Sequence, residues 1–325
     1  MKIAIVGAGA IGGLLGGHLA RIGVEVTLIA RGPHLAAIRE KGLRIAKSES
    51  DFTVRPKAVE DPKEAGPQDY VIVTLKSPAV AAMAEKMTPL LRDDTAVVMA
   101  VNGLPWWYFH GLEGPLQGRQ LASLDPDGVQ WKLIGPERVL GCVVYPAAEV
   151  AEPGVISHIS GDRFSIGEPS GDVSERARIL SRLLIDAGLK APVKRDIREE
   201  IWVKLWGNVA FNPLSALTGA TLAQICANDA TRSLAKSMMT EAENVAKAVG
   251  VHMPIDIDRR IAGAAAVGEH KTSMLQDLER GRQMEIDAII GSVAELARLV
   301  AVETPTIDAI LALIRQKASL LHLYP

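Results

Sequence analysis

A lysine and two asparagines recur every four residues in an otherwise apolar stretch: Lys204, Asn208 and Asn212 within IWVKLWGNVAFNPL, residues 201–214. That interval lines them along one face of a helix, and Trp202, Trp206 and Phe211 stand around them. A buried polar group without a partner costs roughly 1–3 kcal/mol, a cost that a polar ligand held against this face would offset. A lysine so placed can stabilise negative charge developing on a carbonyl oxygen and hand that oxygen a proton. The competing reading is structural, with the lysine snorkelling to solvent and the asparagines bridging helices. Further along, Ser273 in TSMLQD reads on its own as a helix N-cap. Glu285 in RGRQMEID reads as a solvated helix charge paired with Arg282.

A second chemistry stands at the other end of the chain. Gly7-Ala8-Gly9-Ala10-Ile11-Gly12 fits GxGxxG, follows the apolar run KIAIV at 2–6, and opens a helical stretch that reaches Arg21. A second buried strand, VEVTLI, follows at 24–29, the spacing of a mononucleotide-binding unit. In such a unit Gly7 permits the tight turn, Gly9 lets backbone approach a pyrophosphate, and Gly12 lets helix pack on strand. The free amides of the helix N-terminus then face the phosphates. Cofactor choice is read at the end of the second strand, where an NAD site carries Asp or Glu and this sequence carries Ala30-Arg31-Gly32. A carboxylate would repel a 2′-phosphate, whereas a guanidinium binds it as a fork. NADP(H) is therefore the expected cofactor; the alternative for Arg31 is a solvated loop charge.

The elements that must position these residues follow from periodicity. Apolar runs at 70–75 and 95–101 alternate with helical segments opened by Pro33 and Pro78, which implies βαβ crossovers and a mainly parallel sheet. Strand-like runs return at 139–145, 155–159 and 164–166, followed by a helix near 172–187 and a short strand at 192–194; from about Asp196 only helical patterning remains. The predicted fold is an α/β Rossmann-type parallel-sheet domain over 1–195 followed by an all-α substrate and catalytic domain over 196–325. Within the first of these, after Asn102, Trp106, Trp107, Tyr108 and Phe109 form an aromatic run that reads either as a local hydrophobic cluster or as a surface that selects substrate. At 325 residues, 48% hydrophobic and 23% charged, the chain has the composition of a globular protein. A formal charge of -2 argues against nucleic acid or an anionic membrane as partner. Cys142 and Cys226 have no ligand-like spacing, so no metal is expected, and a reducing cytoplasm fits. The apolar C-terminal helices could pair as a homodimer.

These pieces together resemble the ketopantoate reductase (2-dehydropantoate 2-reductase) family: VGAGAIGG, IARG at 29–32, VTLKS at 73–77, Asn102-Gly103, KLWGNVAFNPLSALTG at 204–219 and SMLQDLERGRQMEIDAIIG at 273–291. The resemblance implies NADPH-dependent reduction of 2-dehydropantoate to (R)-pantoate in pantothenate biosynthesis, with the substrate in the cleft between the two domains. It implies that Lys204 donates the proton and that Glu285 hydrogen-bonds near the reacting oxygen. It also implies that Asn208, Asn212 and Ser273 hold the substrate's hydroxyl and carboxylate, and that Lys76, Asn102 and Ala148 contact the nicotinamide half of the cofactor. The sequence departs from the family in lacking a third asparagine in GATLAQ and in its aromatic 106–109 segment. Two alternatives stay open, a reductase of another 2-oxo acid and a non-catalytic NADPH-binding sensor.

Overall fold

Apolar runs too short to span more than a sheet's width, separated by helix-length segments, become in the computed structural model a seven-stranded sheet flanked by helices; the structure describes residues 1–47 and 50–324. In chain order the first elements are β1 (Lys2–Val6), α1 (Ala10–Arg21), β2 (Glu25–Ile29), α2 (Gly32–Lys41), β3 (Leu43–Ala46), β4 (Phe52–Val54), β5 (Lys57–Val59), β6 (Tyr70–Val73), α3 (Ser77–Met87) and β7 (Ala96–Met99). They continue as α4 (Val129–Leu133), β8 (Val139–Val144), β9 (Ala147–Glu152), β10 (Val155–Ser160), β11 (Phe164–Gly167) and α5 (Glu175–Asp186). The remainder is helical: α6 (Ile197–Thr218), α7 (Leu222–Ala227), α8 (Asp229–Ala248), α9 (Ile257–Ala266), α10 (Ser273–Glu279), α11 (Ser292–Leu299) and α12 (Pro305–Leu320).

Met1–Val101, Trp107–Gln120 and Asp127–Ile197 form one compact unit, and Asn102–Trp106, Leu121–Pro126 and Arg198–Pro325 form a second. The sheet of the first unit runs β11-β8-β7-β6-β1-β2-β5 and is parallel except where β11 meets β8. Every residue of β6, β7 and β8 is buried, as a sheet covered on both faces requires. Because β2 lies on one side of β1 and β6 on the other, sheet growth reverses at β1. Open α/β sheets bind ligands in the crevice beyond the strand ends at that reversal.

A second sheet, β4-β3-β10-β9, rests on α1. Its fit explains the glycines inside that helix, since a Cβ on Gly13 would come within 2.7 Å of Ile156 and one on Gly17 within 2.7 Å of Ile45. The periodicity reading finds only β10 of these strands. The others are three to six residues long, and β3 and β9 carry charges among their apolar residues, as in AAEVAE. The strand expected at 192–194 is reduced to a single isolated bridge, Val193 to Ile166 of β11. The aromatic run is core: Trp106, Trp107, Tyr108 and Phe109 are each 4% exposed or less. In the first unit Trp107 packs on Gly141 and Tyr108 meets Phe109 edge to face at 4.9 Å. Side chains this deeply buried pack as the hydrophobic-cluster reading of this segment expects.

In the second unit α6 is anchored by Trp202 and Trp206, both fully buried, with the Trp206 indole N–H donating to the Met239 carbonyl of α8 at 2.7 Å. Two carboxylates fasten backbone here. Glu241 accepts from Thr306 and Ile307 N–H at the start of α12, and Glu295 accepts from Ala122 and Ser123 N–H.

Candidate active site

In the first unit the glycine turn is fixed from three sides. Gly7 adopts φ +99°, a conformation that costs a side-chain-bearing residue energy. The Gly7 and Ala8 amides donate to the Ile29 carbonyl at 3.3 and 3.0 Å, and Thr74, just past β6, donates from its hydroxyl to the Gly7 carbonyl at 2.7 Å. A Cβ on Gly12 would collide with that same carbonyl and with the Thr74 hydroxyl, whereas one on Gly9 would meet nothing within 4 Å. Gly12 is therefore closed by the protein, and Gly9, exposed at the N-cap of α1, opens onto free space. Ala10 and Ile11 follow in the first turn of the helix, whose N-cap offers no side chain to its amides. This is the geometry that a dinucleotide pyrophosphate fits. Thr74 escapes sequence reasoning because it looks like one more residue in the strand run YVIVTL.

Arg31 follows β2 as the N-cap residue of α2, is exposed, and makes no ion pair among the described residues. Lys76 is half-buried at the N-cap of α3, beyond the end of β6. Both basic residues thus stand at carboxyl ends of strands adjoining β1. Ala148 lies on β9 of the second sheet, opposite His158. His34, in the first turn of α2, accepts from the Gly154 N–H at 3.0 Å, and burial lowers its pKa from the ordinary 6.5.

In the second unit three polar side chains form a hydrogen-bonded chain. The Lys204 ammonium donates to Oδ1 of Asn102 at 2.7 Å, and Nδ2 of Asn102 donates to Oε2 of Glu285 at 3.0 Å. Glu285 is only 6% exposed and precedes its helix instead of riding on it. The reading of a solvated charge paired with Arg282 is thereby overturned, because the backbone turns inward at Met284 while 279–283 remain exposed. Asn208 is half-buried one turn beyond Lys204 on α6. One turn further Asn212 is 4% exposed, and its Nδ2 has no hydrogen-bond partner among the described residues. Pro213 follows inside the helix, where its missing N–H leaves the preceding turn one bond short. Ser273 is exposed in the first turn of α10, and the N-cap is Thr272, whose hydroxyl accepts from the Leu275 N–H at 3.4 Å. The cap expected of Ser273 is thus made by its neighbour, and the Ser273 hydroxyl is released from that task.

A cationic ammonium oriented by an amide and a buried carboxylate can polarise a carbonyl and protonate its oxygen. Among the described residues no group of three or more His, Cys, Asp or Glu is arranged to hold a metal ion, and no helix is long and apolar enough to cross a membrane.

Comparison with known proteins agrees over both units. Residues 3–171 match the family model described as ketopantoate reductase PanE/ApbA, and residues 196–318 match the model of its C-terminal region. A 2-dehydropantoate 2-reductase of Mesorhizobium japonicum is 55% identical over 98% of each chain, and one of Pyrococcus horikoshii is 32% identical over 98% of each. A crystal structure of a candidate ketopantoate reductase from Ralstonia solanacearum superposes with a TM-score of 0.95, at 40% identity and 99% coverage of both chains. The chain belongs to the ketopantoate reductase family, oxidoreductases that work with a nicotinamide dinucleotide.

Proposed function

We propose that this enzyme reduces 2-dehydropantoate to (R)-pantoate with NADPH. The observation that carries the reading is the chain Lys204–Asn102–Glu285, found in a protein 55% identical to a relative named for that reaction. Bound NADPH supplies the hydride that the substrate's ketone carbon accepts. As negative charge develops on the ketone oxygen, Lys204 stabilises it and transfers a proton, which leaves a hydroxyl on the product and a neutral amine that solvent reprotonates. Glu285, acting through the Asn102 amide, keeps the ammonium pointed. Asn208 and Asn212 supply hydrogen bonds to the substrate's hydroxyl and carboxylate, with Ser273 as the third ligand. The orphaned Nδ2 of buried Asn212 is a donor that such a substrate would satisfy.

On the cofactor side the residues from Gly7 to Gly12 receive the pyrophosphate, and Arg31 selects NADPH by pairing with its 2′-phosphate. Lys76, Asn102 and Ala148 serve the nicotinamide half. Cofactor binding belongs to residues 1–195 and substrate chemistry to 196–325, with Asn102 joining the latter.

An NADPH-oxidation assay across a panel of 2-oxo acids tests the proposal. The highest kcat/KM is expected for 2-dehydropantoate with NADPH. A different 2-oxo acid that outcompetes it, or a preference for NADH, would replace the substrate or the cofactor named here.

A further inference from the structure

Residues Asp287–Gly291, separated from Glu285 only by Ile286, form a π-helical turn. Such turns are rare because their hydrogen bonds are poorly set, and one that persists needs holding from outside. Here the extra residue has a visible consequence. The Ser292 amide bonds back to the Asp287 carbonyl, and the Ala288 carbonyl, which an α-helix would give to that amide, accepts instead from the Leu104 N–H and the Ser292 hydroxyl, both at 2.9 Å. Gly103, at φ +88°, lies so close to the Ala288 carbonyl that any Cβ there would collide with it. The turn thus fixes two neighbours of Lys204 at once: Glu285 at its entrance, and Asn102 through the 103–104 backbone.

The turn is gripped on its other side. Asp287 accepts from the Arg315 guanidinium of α12 at 2.6 Å and from the Tyr324 hydroxyl, beyond that helix, at 3.0 Å, both on Oδ1. The last residue of the turn, Gly291, leaves room for this grip, for a Cβ there would sit 2.8 Å from Asp287 Oδ1 and 3.1 Å from Arg315 Nη2. We propose that Asp287, Arg315 and Tyr324 are positioning residues for the reduction, a clamp that keeps the π-helical turn from relaxing and thereby sets Glu285 and Asn102 against Lys204. Relaxation to α-helix would absorb one residue, moving the preceding segment by about 1.5 Å and rotating it by about 100°. Misplacement of order 1 Å in a reacting constellation costs roughly 10²-fold in rate.

The inference rests on the proposed reductase reading, and its test separates the two. Wild type and the variants Arg315→Met, Arg315→Lys, Asp287→Asn and Tyr324→Phe are assayed with NADPH and 2-dehydropantoate, well below each variant's melting temperature. Arg315→Met and Asp287→Asn should lose about tenfold or more in kcat with the KM for NADPH unchanged. Arg315→Lys, which can still reach Asp287, should recover part of the loss. Tyr324→Phe removes one hydrogen bond and keeps its ring, so it reports even if the others fold poorly; it should lower kcat and speed hydrogen exchange at the Ser292 amide. If the folded variants keep wild-type kcat and lose only melting temperature, the clamp is merely structural and the inference falls. A wild type inactive on 2-dehydropantoate would overturn the reductase reading itself.

Discussion

Asn102 offers Lys204 an acceptor and Glu285 a donor through one planar amide, so the orientation of each end depends on the other. Little of this was legible from spacing. Lys204, Asn208 and Asn212 stood out because four-residue intervals of polar groups among tryptophans are anomalous on a helix. Glu285 did not stand out, since RGRQMEID looks like an ordinary charged face and only the inward turn at Met284 buries it. Asn102 lies 102 residues from the lysine it binds, and no local pattern announces such a contact. Arg31 draws notice for the opposite reason: the carboxylate expected of an NAD site is missing from its position. Loss of a charge-assisted hydrogen bond costs roughly 1.5–3 kcal/mol, so Arg31→Ala should weaken NADPH binding by about ten- to a hundredfold. NADH binding should hardly change. Fluorescence titration with both cofactors measures this, and equal losses would mean that Arg31 does not read the phosphate.

At the scale of elements, the strand–glycine turn–helix unit declares itself because each of its parts is local: an apolar run, a glycine pattern, a helical stretch. The second sheet could not be read in the same way. β3 and β4 pair locally, as do β9 and β10, but these short strands become one sheet only where β3 joins β10, more than a hundred residues away. The π-helical turn is invisible for a related reason, because its extra residue is stabilised by Leu104, Arg315 and Tyr324 and not by its own composition. The aromatic segment shows that bulk in an unusual place is no sign of a ligand site. Trp107, 1% exposed against Gly141, should behave as core: Trp107→Ala ought to destabilise the protein by about 3–5 kcal/mol. Chemical denaturation would report that loss. A Trp107→Ala protein of wild-type stability but altered preference among 2-oxo acids would return the segment to substrate selection.

For the molecule as a whole, two half-buried histidines of the first unit bear on its behaviour in acid. Burial is the largest cause lowering the pKa of His18, with His158, Arg21 and Lys47 adding to it against the opposing bond to the Ala187 carbonyl at 2.8 Å; burial lowers His34 as well. A base whose folded pKa lies below its unfolded value binds fewer protons when folded. Stability from these groups is therefore complete above the ordinary value of 6.5 and declines as pH falls through the window below it. Melting temperatures measured from neutral to mildly acidic pH should fall in that window, less steeply for His18→Asn; identical slopes would assign the effect to other groups. Catalysis poses the larger question, and it turns on one ammonium. The kcat of Lys204→Ala for NADPH-dependent reduction of 2-dehydropantoate should fall by roughly 10²–10⁴, the worth of a positioned general acid. NADPH affinity should survive, and Lys204→Arg should not restore the rate, because a guanidinium does not release its proton near neutral pH. A correctly folded Lys204→Ala enzyme with wild-type kcat would contradict the account, since the proton would then come from elsewhere.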